Sequence, residues 1–245
     1  MPSPMVNRLV LLSASLLCLA LGSVHAFSVF LEPLEQQFGV SRSTASFTYS
    51  LALVSLTLAV LIGHRVFAVV RASLFVGLVC LAAAAGCLLA ANASTMLEVW
   101  LGYSLLFGAA NGFGYAFGLQ ISAQAYPGRE GLAMGSITAC YALGAAAAPV
   151  LFSWAILLDG FRSAMLGLAA ALMLIAPICA LLLQRSGAQF RSADERMVTQ
   201  TVPAKQVMWL WLGYGAGVVA GLMQSVMQRE LQIRPGCSTV SGLLQ

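Results

Sequence analysis

Residues 9–31 read LVLLSASLLCLALGSVHAFSVFL, and they contain no Asp, Glu, Lys or Arg. A helix rises about 1.5 Å per residue, so a helix of this length reaches about 35 Å and can cross a hydrocarbon core of about 30 Å. A cleaved secretory signal has a shorter apolar core and a small-residue cleavage site, so we expect this segment to be retained. The stretch therefore predicts a first membrane-spanning helix.

Five further apolar runs without a formal charge follow along the chain. The whole sequence is 60% hydrophobic and only 8% charged, whereas a soluble domain carries about a quarter charged residues. β-Barrel strands would be shorter and would alternate polar with apolar residues, which these runs do not do. We therefore predict an all-α membrane protein in which residues 1–184 form a six-helix bundle. The five runs cover residues 44–62, 72–91, 99–125, 132–158 and 165–183.

Basic residues divide unevenly between alternate loops of this bundle. Lys and Arg are retained on the cytoplasmic side of a membrane, so their distribution indicates the orientation. With the N-terminus inside, only Arg42 and Arg162 fall outside. This distribution predicts a multi-pass protein of the inner (plasma) membrane with a cytoplasmic N-terminus. The inner segments hold Arg8, Arg65, Arg71, Arg129, Arg185, Arg191, Arg196 and Lys205.

The chain changes character after the sixth run. Residues 185–206 are polar and indicate a cytoplasmic linker, and an apolar segment resumes at 207–223. Its apolar core, Trp209 to Met223, would reach only about 22 Å, so we expect a partial seventh helix. The tail 224–245 turns polar, which fits either a natural tail or a frameshift that removes further spans. Translating the neighbouring reading frame would distinguish these two interpretations.

Three stretches carry a resemblance to a known family. They are FSVFLEPLEQQFGVSRS at residues 27–43, YSLLFGAANGFGYAFGLQ at 103–120 and AYPGREGLAMG at 125–135. Together with the span pattern, they resemble the N-terminal half of a major facilitator superfamily transporter, in the branch of the oxalate/formate antiporters and monocarboxylate transporters. The resemblance implies a six-helix half that moves a small organic anion by alternating access. It also implies a second half that this chain lacks, so the chain alone could be inactive.

The link between the second and third runs resembles the gating loop of that superfamily in part. It keeps Gly63, Arg65 and Arg71, but the acidic partner of the family motif is absent. In the family this acid helps to lock neighbouring helices in one conformation. The resemblance therefore implies a gating loop whose locking contact is altered.

The fourth run offers the densest set of candidate site residues. At about 100° per residue, Tyr103, Phe107, Asn111 and Tyr115 share one arc of a helix. A transport site near the membrane midplane is built from the few polar and aromatic side chains that face a cavity. We therefore predict that Tyr103, Asn111 and Tyr115 bind substrate, although Asn111 could equally hydrogen-bond a neighbouring helix.

Three further candidates lie in other runs. His25 is an ionisable residue inside a span, and such residues are functional candidates because their charged form is costly in lipid. It could take up a coupling proton, or it could be a neutral, hydrogen-bonded side chain. Tyr49 and Tyr141 could contact substrate or link neighbouring helices. No span supplies an Arg or Lys for a carboxylate, so an anionic substrate is implied by the resemblance alone.

Small residues are expected to let the helices pack closely and rock against each other. Gly108 and Gly112 form a G-x-x-x-G pair, a spacing that places both glycines on one side of a helix. The predicted packing positions are Gly108, Gly112, Gly114, Gly135, Gly144 and Pro149.

The sequence lacks the motifs of other function classes. It has no H-E-x-x-H, G-x-S-x-G or G-x-x-x-x-G-K-[ST] motif and no acid inside a span, so we predict no catalytic residue, no metal and no cofactor. Its arginines stand singly, so we predict no nucleic acid partner. We expect a small-molecule substrate and membrane lipid as partners of an antiporter or a symporter, with proton coupling left open. The alternative is a non-transporting scaffold or a six-helix membrane protein that forms a homodimer.

Overall fold

Helices and the short turns between them account for the described residues, and no strand occurs among those residues. This confirms the all-α fold class. The structure, a computed structural model, divides the chain into two units, Met1–Ser192 and Ala193–Gln245. The predicted linker, seventh helix and polar tail lie largely outside the described residues and stay predictions. The described residues are 4–67, 69–190, 205, 206, 208, 209, 212, 213 and 216.

The first unit is built from α-helices and two irregular helical segments. The α-helices are α1 (Pro4–Leu21), α2 (Leu31–Phe38), α3 (Arg42–Phe67), α4 (Ala72–Ala91), α5 (Met96–Val99), α6 (Gly108–Ala125) and α7 (Glu130–Ser186). A 3-10 helix, Gly22–Phe30, joins α1 to α2, and a π-helix, Trp100–Phe107, joins α5 to α6. Long runs of either type are uncommon, and both types occur often at functional positions.

Several described segments are long and apolar enough to cross a membrane. Large apolar side chains stand on their outer surfaces, since Leu157 and Leu158 are each 84% exposed and Trp154 is 73% exposed. Such a surface is unfavourable in water, whereas the hydrocarbon of a bilayer matches it. The segments indicate a multi-pass membrane protein. They are Met5–Phe38, Arg42–Phe67, Ala72–Ala91 and Glu130–Ser186.

α7 contains the predicted fifth and sixth runs in one segment of 57 residues. A straight helix of that length would reach about 85 Å, far beyond the thickness of a bilayer. Its backbone leaves the helical region at Asp159 and at Gly160, where φ is 58° and ψ is −146°. Glycine tolerates this conformation because it has no Cβ. The break divides α7 into arms at 130–158 and 161–186, which correspond to the predicted fifth and sixth spans.

The predicted fourth span corresponds to a continuous helical run formed by α5, the π-helix and α6. This run is not among the four membrane-crossing segments. α6 is rich in glycine and includes Asn111 and Gln120, so it is less apolar than α1, α4 and α7. It packs against α1, α3, α4 and α7, and more than half of its residues are buried. The count of six spans therefore stays a prediction.

Glycines let the backbones of neighbouring helices approach closely at several crossings. A Cβ on Gly144 would overlap the carbonyl oxygen of Leu19 in α1, and a Cβ on Gly112 would overlap that of Leu56 in α3. A Cβ on Gly108 would lie 2.8 Å from another carbonyl oxygen of α3. These three predicted packing positions thus lie at backbone contacts, where a small residue is needed.

The other predicted packing positions differ from these. A Cβ on Gly114 would overlap the side chain of Leu21, so the close contact there is with a flexible group. At Gly135 a Cβ would find no atom within 4 Å. Pro149 lies inside α7, and its carbonyl oxygen accepts a hydrogen bond from the Ser153 hydroxyl at 2.8 Å. Gly135 therefore does not support a helix crossing among the residues that the structure describes.

Aromatic clusters mark two ends of the first unit. At one end, Phe67 packs against Phe75, Phe117 and Phe190, with ring centroids 5.0, 5.5 and 5.4 Å away. The end of α3, the beginning of α4 and the residues after α7 therefore meet at this end. At the other end, the ring centroid of Phe30 lies 5.2 Å from that of Phe161, just after the α7 break.

We expect Gly144→Ala and Gly135→Ala to have opposite effects on stability. At Gly144 the new methyl group would overlap the Leu19 backbone, and overpacking of this kind costs about 1–3 kcal/mol. At Gly135 the space is open, and replacing a helical glycine by alanine stabilises a helix by up to about 1 kcal/mol. Thermal unfolding of both variants and the unaltered protein in the same detergent, followed by tryptophan fluorescence, would measure the two changes in stability. Equal losses of stability in the two variants would contradict the packing described.

Candidate functional site

His25 lies at the surface of the first unit, within the 3-10 helix that joins α1 to α2. Its Nδ1 atom is 2.8 Å from the hydroxyl oxygen of Tyr49 in α3. Its ring also meets the ring of Tyr141 in α7 edge to face, with centroids 5.4 Å apart. Three helical segments that are distant in sequence therefore converge on one imidazole.

Tyr115 and Thr138 extend this cluster. The rings of Tyr115 and Tyr141 lie 4.5 Å apart, and the Tyr115 hydroxyl is 3.5 Å from the Thr138 hydroxyl. His25 and Thr138 are exposed, Tyr49 and Tyr115 are half-buried, and Tyr141 is buried. We call these five residues, His25, Tyr49, Tyr115, Thr138 and Tyr141, the aromatic face. Most of the side chains that the sequence predicts to bind substrate come together there.

Asn111 lies directly behind the aromatic face. It is fully buried, its Nδ2 atom donates a hydrogen bond to the Leu21 carbonyl oxygen at 2.6 Å, and its Oδ1 atom accepts one from the Tyr141 hydroxyl at 2.9 Å. Both polar groups of the amide are therefore engaged with protein. Of the two roles considered from the sequence, this arrangement corresponds to a link between neighbouring helices.

Tyr103 is also separate from the aromatic face. It is 1% exposed, its ring packs against those of Phe27 and Phe107, and its hydroxyl donates to the Val24 carbonyl oxygen at 3.3 Å. At about 100° per residue Tyr103 would share one arc of an α-helix with Asn111 and Tyr115. The i→i+5 bonds of the π-helix change which side chains share a face. Of the four residues of the predicted cavity wall, Tyr115 belongs to the aromatic face, Asn111 bonds Tyr141 from behind it, and Tyr103 and Phe107 lie apart from it.

The aromatic face is a set of hydrogen-bonding groups and rings without a formally charged residue. Its polar atoms are the hydroxyls of Tyr49, Tyr115, Thr138 and Tyr141 and the imidazole of His25. Among the residues that the structure describes, no group of three or more His, Cys, Asp or Glu is placed to hold a metal ion. The face can therefore hydrogen-bond a ligand and pack against its apolar part, which is the chemistry of binding.

The predicted gating loop lies between α3 and α4. Gly63 is buried near the end of α3, where a Cβ would lie 2.7 Å from the Phe67 ring. Arg65 is exposed in the last turn of α3, and Arg71 precedes the first residue of α4. Arg71 also lines a cavity of about 180 Å³ together with Gln184. A gating role for Gly63, Arg65 and Arg71 stays a prediction.

Of two further residues of this region, Thr138 could be paired with Tyr141 from the sequence, whereas Phe27 was not among the candidates. Phe27 stacks on Tyr49 with ring centroids 5.8 Å apart and planes 10° apart, so it supports that side of the face from behind. Thr138 precedes Tyr141 by three residues, and this spacing places both on the same side of α7. The sequence spacing therefore indicates Thr138 beside Tyr141, as a link between helices or a substrate contact, whereas the 3-10 geometry that directs Phe27 leaves no comparable pattern in the sequence.

Apolar helices that cross a membrane, with a hydrogen-bonding and aromatic face between them, are features of a helical membrane transport protein. The sequence profile of the Major Facilitator Superfamily matches residues 11–243. The match covers most of the chain, so this protein belongs to the Major Facilitator Superfamily. No curated protein gives a significant match. Members of the family are transporters rather than enzymes, and this chain is a multi-pass membrane protein of that class.

Tyr103→Phe should destabilise the protein, whereas Tyr115→Phe should change its stability little. The Tyr103 hydroxyl is buried, so its removal leaves the Val24 carbonyl oxygen without that partner, at a cost of about 1 kcal/mol. The Tyr115 hydroxyl stands at the limit of hydrogen-bonding distance on a half-buried ring, so we expect a change below about 0.5 kcal/mol. Thermal unfolding of the two purified variants in one detergent compares them. Equal losses would contradict the assignment of Tyr103 to the interior.

Proposed function

We propose that this protein is a secondary active transporter that moves a small organic anion, such as a monocarboxylate, oxalate or formate, by alternating access. The observation that carries this proposal is the contact of His25 with Tyr49 and Tyr141 on the aromatic face. An ionisable side chain is costly in a membrane-spanning segment, so its presence among other hydrogen-bonding groups favours a role in binding. The anionic nature of the substrate rests on the resemblance of three sequence stretches to the oxalate/formate and monocarboxylate branches.

The aromatic face offers donors that suit a carboxylate. The hydroxyls of Tyr49 and Tyr115 can each donate a hydrogen bond, and a protonated His25 would add a charge-assisted one. The Thr138 hydroxyl donates to the Met134 carbonyl oxygen at 3.1 Å, so it can accept a hydrogen bond but not donate another. The rings of Tyr115 and Tyr141 would cover the apolar part of a larger monocarboxylate such as lactate. A small carboxylate would thus find polar and apolar contacts on one surface.

The same imidazole supports a proposal of proton coupling. A bound monocarboxylate and the imidazolium of His25 together carry no net charge, so holding the pair in a region of low dielectric constant costs less than holding the anion alone. For the oxalate dianion the same proton removes one of the two charges. Tyr49 and Tyr141 are the titratable side chains that contact His25 within the described part of the chain. We therefore propose that His25 takes up one proton with each anion, which corresponds to symport. An antiporter that exchanges one anion for another would not need this proton.

The distribution of arginines supports an orientation in the membrane. Arg65 and Arg71 flank the turn between α3 and α4, and Arg185 lies in the last turn of α7, at the end of the unit where Phe67 contacts the residues after α7. Basic residues are retained on the cytoplasmic side. We propose that this end faces the cytoplasm, that the N-terminus lies on the same side, and that the membrane is the inner (plasma) membrane.

We expect His25→Gln to lower anion uptake about tenfold or more, because the variant loses a charge-assisted hydrogen bond to the substrate. His64→Gln is the matched control, since His64 is exposed in the last turn of α3, where its ring contacts the Leu61 carbonyl oxygen. The measurement is uptake of radiolabelled lactate, oxalate and formate by proteoliposomes that contain equal amounts of each variant. Symport further predicts that uptake rises when the outer solution is acidified, and that His25→Gln loses this dependence.

Three results would count against the proposal. Equal uptake by His25→Gln and the unaltered protein would remove His25 from the site. No uptake of any of the three anions above that of empty liposomes, together with no binding of any of them to the purified protein by isothermal titration calorimetry, would contradict an organic anion as substrate. A stable homodimer in detergent, together with that absence of uptake, would favour the alternative of a non-transporting or dimerising membrane protein.

A further inference from the structure

The 3-10 helix Gly22–Phe30 interrupts a membrane-spanning segment, and its carbonyl groups need partners. Where an α-helix changes to a 3-10 helix, the hydrogen bonds change from i→i+4 to i→i+3, which disturbs the regular ladder. Inside lipid no water can replace a lost bond, so an unsatisfied backbone group is costly. The segment is nine residues long, and 3-10 helices of this length are uncommon. Other parts of the protein must therefore stabilise it.

Two side chains from the helical run that contains α6 bind this segment. Asn111 donates a hydrogen bond to the carbonyl oxygen of Leu21, the last residue of α1, at 2.6 Å. Tyr103 donates one to the Val24 carbonyl oxygen at 3.3 Å. Asn111 is fully buried and Tyr103 is 1% exposed, so water does not compete for these bonds. Both bonds act where the 3-10 helix begins.

Asn111 is connected to the aromatic face at the same time. Its Oδ1 atom accepts a hydrogen bond from Tyr141 at 2.9 Å, and the Tyr141 ring contacts those of His25 and Tyr115. Gly22, the first residue of the 3-10 helix, lies so close to Tyr141 that a Cβ would overlap its carbonyl oxygen. The Asn111 amide thus connects the start of the 3-10 helix, which carries His25, with Tyr141, whose ring packs against the imidazole.

We propose that Asn111 is a positioning residue: it fixes the 3-10 helix and Tyr141 in one arrangement, and thereby holds His25 in place on the aromatic face. This inference rests on the proposed function for its consequence in transport, and it gives Asn111 a role that needs no contact with substrate. The amide suits this role because one of its atoms donates a hydrogen bond and the other accepts one. A leucine has a similar size but offers neither group.

Hydrogen–deuterium exchange of the purified full chain tests the first part of the proposal. In Asn111→Leu, the Leu21 carbonyl and the Tyr141 hydroxyl lose their partner, so we expect the amides of residues 22–30 to exchange about tenfold faster. Exchange in α4, which makes none of these contacts, should stay the same. Unchanged exchange in residues 22–30, or an equal acceleration in α4, would overturn the proposal.

Nuclear magnetic resonance of labelled histidines tests the second part, since the chain contains 2 histidines. Asn111→Leu should displace the signals of His25, because the Tyr141 ring would move relative to the imidazole, and it should leave the signals of His64 in place. A general structural role of Asn111 would not single out one imidazole. A His25 signal that stays unchanged would overturn the proposal.

If Asn111→Leu does not yield a folded protein, Tyr141→Phe and Tyr115→Phe form a matched pair that decides the question. Each removes one hydroxyl group, but the Tyr141 hydroxyl bonds Asn111 and the Tyr115 hydroxyl does not. We expect residues 22–30 to exchange about threefold faster in Tyr141→Phe and at the original rate in Tyr115→Phe. Equal rates in the two variants would overturn the proposal. These measurements need no transport, so they can fail or succeed independently of anion uptake.

Discussion

Every backbone amide and carbonyl group inside lipid must find its partner within the protein, and this constraint shapes the whole molecule. α-Helices satisfy it locally, which is why the apolar runs of the sequence become helices. The constraint becomes demanding where the regular α-helix stops, at the 3-10 helix Gly22–Phe30 and at the π-helix Trp100–Phe107. There, partners come from other helices, so the irregular segments depend on the bundle around them.

The two irregular segments are connected to each other and to α3 by side chains. Tyr103 of the π-helix bonds the Val24 carbonyl oxygen in the 3-10 helix, and Trp100 donates from its ring nitrogen to the Thr48 hydroxyl in α3 at 3.0 Å. Long-range hydrogen bonds therefore accompany the local departures from α-helical geometry. Side chains on these segments point in directions that a regular α-helix would not give them. The side chain of His25, in the 3-10 helix, is an example.

The class of fold could be predicted from composition and charge, because uncharged apolar runs in lipid leave few alternatives to a helix. The bounds of α4, Ala72–Ala91, could be predicted to the residue, since Arg71 and Asn92 flank the apolar run on both sides. The site was harder to predict. Tyr103 was expected at a cavity, and Asn111 either at a cavity or at a link between helices. Both lie in the interior, because burial depends on the helix type and on neighbouring helices, which sequence periodicity does not contain. The residues of the aromatic face could largely be found because polar groups are scarce in the spans.

Burial separates two kinds of polar residue that look alike in the sequence. A polar side chain inside a span either faces a cavity or completes the hydrogen bonds of neighbouring helices, and both kinds interrupt an apolar run in the same way. Asn111 has both amide atoms bonded to protein and no exposed surface, whereas Tyr49 is half-buried and its hydroxyl meets an exposed imidazole. Asn111 can therefore change substrate binding only by moving other groups, whereas Tyr49 can change it by direct contact. The distinction requires the three-dimensional arrangement, because it depends on which helices meet and not on the spacing of residues along one of them.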